Sequence, residues 1–380
     1  MRISRIVVLS ILAASVGAGA ARAEFTSVLK KKKLVLTQIV DDGPVTVDDN
    51  GTDGAFRILE GDTTEFEAAD SLEIELLSGS HPNLDVDIDQ GIARDLTVRI
   101  GSGTRVVSFV GDANTVAGHV RVLGEDGDQV VELAVAAPFS CAGKLVVKLG
   151  EGFDQVDENG FDVTIGGDLV FGGVNAFEND GEMRVGGDAS ITSDELVATE
   201  FDNDDTMLIL GDFDFSAGKG GGSCQLNDVG VTVGGDTVID CGSSAAPHFV
   251  GLQNSRFGGD LEIDSDSSLA TFVTMDAATF VGGSIEIEVG KGSATLILAG
   301  FCNGKSVEIE GSKGVDTVVA SRRARRAKGD FDRNKGDDTV NLVAPATFKR
   351  LSIDFDGGND TFVDGLGEEK PFDLSVDDLP

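Results

Sequence analysis

The chain of 380 residues has no tryptophan and no tyrosine, only 7 prolines, 4 cysteines and 3 histidines. Without Trp or Tyr it lacks the usual platforms on which a protein stacks sugar rings. No Cys or His falls at a spacing that would gather zinc. Basic residues are scarce too: 30 Lys and Arg stand against 66 Asp and Glu, for a formal charge of −36. Such a chain repels phosphate, which argues against nucleic acid as a general partner. Beyond residue 23 there is no apolar run long enough to read as a transmembrane helix.

Glycine is abundant, at 51 residues, beside 41% hydrophobic and only 25% charged residues. That balance supports a folded chain with a sizeable core rather than a disordered acidic tail. Much glycine, little proline and no collagen-like triplet period together read as many tight turns.

Arg2 and Arg5 precede an apolar stretch over 6–20, and Ala21-Arg22-Ala23 follows with small residues around one variable position. This is the pattern of a cleaved secretory signal over residues 1–23, and its apolar part is short of a membrane span. Cleavage removes three Arg and no acid, taking the formal charge to −39. The expected product is exported to the periplasm, cell surface or extracellular space, with no membrane span after cleavage.

A strand-like pattern then recurs. It reads Ser71-Leu-Glu-Ile-Glu-Leu, Asp95-Leu-Thr-Val-Arg-Ile, Lys144-Leu-Val-Val-Lys-Leu, Asp260-Leu-Glu-Ile and Ser284-Ile-Glu-Ile, with further copies between and after them. From residue 71 to residue 305 successive copies start 20–25 residues apart, most often 24. Apolar residues alternate within each copy, as in Leu72/Ile74/Leu76, which marks a strand with one buried face. A second strand follows a Gly-rich turn in many copies, as in Ala294-Thr-Leu-Ile-Leu and Asp338-Thr-Val-Asn-Leu. Short strands repeated at one period satisfy their edges by stacking copy on copy, in parallel and in register. The fold class expected is therefore all-β: a single-stranded parallel β-solenoid, right-handed in preference to the left-handed hexapeptide type. About thirteen coils at ~4.8 Å would make a rod roughly 60 Å long. An antiparallel sandwich is the competing fold, but it supplies no reason for a constant period.

The expected organisation is an N-terminal cap over 24–43, the repeat domain over 44–366 and a C-terminal cap or tail over 367–380. Leu72, Leu96, Val120, Leu145, Leu169, Leu261, Ile285 and Leu351 hold one position in each copy and are expected in one inward column. Phe257, Phe272, Phe280, Phe301 and Phe348 are expected as internal stacks.

The turns carry a smaller motif, Gly-x-Asp-x-apolar, at Asp154, Asp316, Asp338 and Asp360. Read from the residues alone, each carboxylate accepts N–H groups of its own turn, as Asx turns do. Stacked one strand apart, Asp316, Asp338 and Asp360 would repel unless something intervenes. As a whole the chain resembles exported, bacterial-type parallel β-helix repeat proteins. Gly311-Ser-Lys-Gly314-Val-Asp316-Thr-Val318 is similar to the calcium-binding nonapeptide of RTX toxins and proteases, lacking its second Gly. That resemblance implies a β-roll in which Asp154, Asp316, Asp338 and Asp360 help to hold Ca²⁺. The last three lie 22 residues apart here, rather than in a tandem nonapeptide array.

Of the cysteines, Cys141 and Cys302 lie too many coils apart to meet, while Cys224 and Cys241 sit in neighbouring coils. They are either a disulfide or two buried thiols. His81, His119 and His248 lie in no recognisable nucleophile motif and read as turn or surface residues. Residues 151–300 hold 28 acids and 4 bases, whereas 301–350 hold 7 acids and 11 bases. Arg322, Arg323, Arg325, Arg326 and Lys328 are the centre of that basic segment. They form either a solvated loop or a contact for an acidic partner, including the acidic flank of another copy. The function expected is non-enzymatic: an acidic rod for surface, envelope or matrix interaction, with Ca²⁺ at its turns as an option. The alternative is a polysaccharide lyase or glycoside hydrolase of the β-helix type, disfavoured because near-equal coils leave little material for a cleft.

Overall fold

A computed structural model describes residues 8–9, 24–40, 45–48, 57–59, 64–65, 69–76, 83–112, 114–193, 199–226, 230–302, 306–321, 323–333, 336–343, 347–355, 358–365 and 373–377. The alternating pattern of the sequence becomes short strands, and the one helical element among these residues is a single 3-10 turn, Gly218–Gly220. No helix among them is long and apolar enough to cross a membrane. The chain is a parallel β-solenoid, divided into two compact units at Gly186/Gly187.

In the first unit, an antiparallel hairpin of Glu24–Lys30 and Lys33–Val40 lies at the start of the first sheet. Its second arm pairs in parallel with Ser71–Glu75, and Leu96–Ile100, Val120–Gly124, Leu145–Lys148 and Leu169–Gly172 follow in register. A second sheet stacks Leu84–Asp87, Arg105–Phe109, Gln129–Leu133, Gln155–Glu158 and Ala176–Asn179. Phe139–Cys141, Val163–Ile165 and Met183–Val185 continue a third.

The second unit repeats the path. Its first sheet runs from Ala189–Thr192 through Phe213–Ser216, Thr237–Asp240, Leu261–Ser265, Ile285–Val289 and Ser306–Glu310. It goes on to Arg323–Arg333, Thr347–Phe355 and Asp373–Asp377. Its second sheet starts at Thr199–Asn203 and ends at Thr361–Gly365, and the third is built of two- and three-residue strands up to Phe301–Cys302. After Cys302 the coils shorten to a 22-residue step, as the Asp316–Asp338 spacing shows. The long strand Arg323–Arg333 there takes a register shift between Ala324 and Lys328.

Each copy of the repeat contributes a strand to the first sheet, beginning within one residue of the expected start from Ser71 to Ser306. Leu72, Leu96, Val120, Leu145, Leu169, Leu261 and Ile285 are all buried, each paired in register with a neighbour in its own unit. Leu351 stands between Gly329 and Leu374 in the same backbone column, and its side chain lies outside the described residues. Each leucine so buried contributes roughly 1.5–3 kcal/mol.

The expected phenylalanine stack needs correction. Phe257 is internal, but Phe272 and Phe280 are only partly buried, because Thr271, Val273 and Met275 take the inward positions around Phe272, as Val281 does beside Phe280. Phe272 instead stacks outside on Phe249, with centroids 5.1 Å apart, and Phe280 lies under the Arg256 guanidinium. The internal rings are others, including Phe109 against Phe139 and Phe171 against Phe177. Phe301 and Phe348 have side chains outside the described residues.

Glycine marks where backbone meets backbone. At the corner before the first sheet, a Cβ on Gly258 would lie 2.3 Å from the Gly234 carbonyl oxygen, and one on Gly282 would lie 2.4 Å from that of Gly258. These columns exist because one coil rests directly on the next, with no room for a side chain.

Candidate functional site

The turn aspartates are buried and joined into a ladder. Asp316 Oδ1 accepts the backbone N–H of Ala294 at 2.7 Å, Asp338 Oδ1 that of Asp316 at 2.8 Å, and Asp360 Oδ1 that of Asp338 at 2.8 Å. Ser312 adds its N–H and hydroxyl to Asp316, both at 2.6 Å. In the other unit Asp154 Oδ1 accepts the N–H of Gln129 at 2.8 Å. A backbone N–H therefore stands between successive carboxylates, which offsets the repulsion expected of stacked like charges. Each acceptor reaches from one coil to the previous one, and at Asp316 the Ser312 contacts also close on its own turn, as expected of an Asx-type turn. Among the described residues, no group of three or more His, Cys, Asp or Glu side chains is arranged to hold a metal ion.

A second ladder, which the sequence reading missed, runs along the Gly-Gly-Asp corner in the opposite direction. Asp188, Asp212, Asp236 and Asp260 each accept at Oδ1 the backbone N–H of the equivalent residue one coil on, at 2.6–3.0 Å. In the first unit Asp95 does the same to His119, and His119 Nδ1 accepts the N–H of Lys144 at 2.9 Å. His119 thus takes the place of an aspartate in the corner.

His248 is a different case. It is buried, not a surface residue, with Nε2 2.8 Å from Ser244 Oγ and Nδ1 2.8 Å from Ser265 Oγ. Ser265 Oγ in turn lies 2.7 Å from Thr271 Oγ1. Burial holds the imidazole below its ordinary pKa, with Asp266 and Asp240 pulling the other way. The Ser244 hydroxyl also takes the N–H of Ala246, so the network braces a corner. His81 lies outside the described residues.

Cys224 and Cys241 do not form the disulfide weighed from the sequence: both are free and buried, as is Cys141. Cys224 points inward from the second sheet, and Cys241 directly follows a strand of the first. Burial pushes both thiols well up and that of Cys141 up to about 12, so none is poised as a nucleophile. The basic segment is a strand, not a loop, from Arg323 to Arg333. Arg322 and the side chains of Arg323, Arg325, Arg326 and Lys328 lie outside the described residues.

An organised array of charge lies on the outer face of the first sheet in the second unit. Inward Leu261/Ile263, Ile285/Ile287 and Val307/Ile309 alternate with outward Glu262/Asp264, Glu286/Glu288 and Glu308/Glu310. Register sets these acids in two straight columns, one strand spacing apart. Asp240 precedes Asp264 in one column, and backbone register carries it on through Asp332 and Asp354. The carboxyls feel one another. Glu288 is pushed above its ordinary pKa chiefly by Asp264, and Asp264 is pushed up by burial and then by Asp240. The corresponding positions of the first unit are mixed, with Arg99, Arg121 and Lys148 among them. No protein-family model, curated protein or solved structure matches the chain.

Proposed function

We propose that this chain is an exported, non-enzymatic β-solenoid that works as an acidic interaction scaffold at a surface, envelope or matrix. One observation carries the reading: the two in-register carboxylate columns from Glu262/Asp264 to Glu308/Glu310 on one sheet face. Like charges set in line raise one another's pKa, so the array costs stability, and a scaffold that bears this cost offers a cationic partner a regular template. The partner fitted by that face is an extended polycation, whose charges can follow the columns and release their counterions. Turn aspartates serve the scaffold as acceptors of backbone N–H groups.

The test is retention of the full chain on polylysine-coated beads at ~0.1 M salt and its elution towards ~1 M, where the screening length is about 3 Å. Replacing Glu286, Glu288, Glu308 and Glu310 with Gln should remove most of the retention. Retention that survives all four substitutions would assign binding to net charge and defeat the reading. Export is tested separately, by whether the secreted product begins at Glu24.

A further inference from the structure

The second sheet of the same unit presents the reverse of the carboxylate face. Its outward positions from Ser223 to Val363 form two columns in register. One column ends in Thr295, Thr317, Thr339 and Thr361, and the other holds Ile297, Val319, Asn341 and Val363. No position in either column carries an ionisable group, although the whole chain is 25% charged. Acids resume one strand before, at Glu200 and Asp202. The face is also open: Phe249 is 44% exposed, Ile297 42% and Val363 42%. Of the acids at its edges, Asp276 has its carboxylate turned to the N–H groups of Asn254, Ala278 and Thr279, and Asp337 Oδ1 accepts the N–H of Asn359.

We propose that this uncharged face is where two copies of the chain pair, sheet against sheet, about a two-fold axis lying in the plane between the two faces. Three features select a second copy over other occupants. The first is charge. Two strongly acidic chains repel through carboxylate faces, and this face is one they can bring together without opposing like charges. The second is chemistry. A threonine hydroxyl both donates and accepts, so a threonine column can hydrogen-bond to its own copy, and the strand spacing of the two faces is the same. Phe249 and Phe272 are nearly parallel, 8° apart, with their ring faces turned to each other, which limits the area they offer to a sugar.

The third is area. Seven strands of the sheet span the face, from Gly222–Leu226 to Thr361–Gly365. At ~4.8 Å per strand the face is ~34 Å long, and with the flanking Ala299, Ser321 and Val343 it is ~20 Å wide. Pairing would bury about 1,300 Å² in total, within the range of specific interfaces. Two sheets so joined pack ~10 Å apart, with strands roughly 30° from alignment.

Sedimentation of the full chain over a concentration series, at ~0.1 M and ~1 M NaCl, tests the proposal. The expected result is a reversible dimer that strengthens with salt, as screening removes the repulsion of the acidic flanks. Thr317→Glu and Thr317→Arg should each raise the dissociation constant at least tenfold, because Thr317 is one strand from the middle of the face, where a two-fold contact brings either charge close to its own copy. Circular dichroism checks that the variants fold, and Ile297→Glu is a second site with the same expectation. Several outcomes would overturn the proposal. One is a monomer under all conditions. Another is a dimer indifferent to these substitutions or strengthened by Thr317→Arg. A third is association that fades with salt, which would assign contact to the basic segment around Arg323 instead. A monomer that binds an insoluble neutral polysaccharide and loses that binding with Ile297→Glu would hand the face to a glycan.

Discussion

The side-chain oxygen of Asn175 accepts the backbone N–H of Asp154 at 2.8 Å, in the way Asp338 accepts that of Asp316. An uncharged amide therefore fills the same structural place as the turn carboxylates. Asp338→Asn should keep the cross-coil bond and change stability by less than about 1 kcal/mol, whereas Asp338→Ala leaves a buried N–H unpaired and should cost about 1–3 kcal/mol. Urea denaturation measures both. Millimolar Ca²⁺ should leave the melting temperature of the unaltered chain where it was. A rise that Asp338→Asn abolishes would restore these residues to the calcium role that the turn motif suggests.

Glu158 makes stability depend on pH. Burial pushes its carboxyl up to about 7, against the N–H groups of Gly160, Gly181, Phe161 and Asp180, which pull it down. The folded state holds the proton to higher pH than the unfolded chain, so stability falls as pH rises from about 4.5 to about 7. The full span corresponds to roughly 3 kcal/mol at most. Glu158→Gln should flatten that part of the profile; a slope unchanged in the variant would place the titration elsewhere.

The carboxylate columns act in the same direction. Glu288, Asp264 and Asp214 all have raised pKa values, Asp214 through burial and then Asp240. Added NaCl should therefore raise the melting temperature of the chain. Glu288→Gln should stabilise by only a few tenths of a kcal/mol, since the group is exposed and screened. Calorimetry at two salt concentrations reads both effects.

Cys224 and Cys241 should label fully with a thiol reagent under non-reducing denaturing conditions and resist labelling in the folded state. Mass spectrometry that finds the two joined would overturn their description as free thiols.

Gly258→Ala should cost about 3 kcal/mol, since its Cβ would lie 2.3 Å from the Gly234 carbonyl oxygen and one coil would have to lift off another. Replacing a partly exposed residue nearby, such as Ser284, should cost far less.

Period and alternation made the solenoid legible in the sequence, because both follow from strands that bury one face and stack. Facing was harder to read where a strand holds bulky residues at both parities. Phe272 was expected inside, yet Thr271, Val273 and Met275 take the core, which only the coil path reveals. The carboxylate columns were visible as Leu261-Glu-Ile-Asp and Ile285-Glu-Ile-Glu, but charge counted by segment hides alignment across strands. The uncharged face was hidden further, since Phe249, Thr295 and Thr361 become neighbours in one column only through register. His248 finds Ser265 across 17 residues and a corner, a distance at which no local motif operates.

The Gly-Gly-Asp corner has a consequence for how such a chain can change over generations. Asp212 and Asp236 each reach the same atom of the coil that follows, 24 residues away. Excising the segment 236–259 would leave Asp212 facing the N–H of Asp260, with the neighbouring glycines again nested against a carbonyl. The seam would be indistinguishable from any other junction. A cut of half a coil would instead set first-sheet strands against second-sheet ones and send inward residues to the surface. The gene can thus lengthen or shorten this protein by duplication and deletion, provided that each event spans a whole turn of the solenoid.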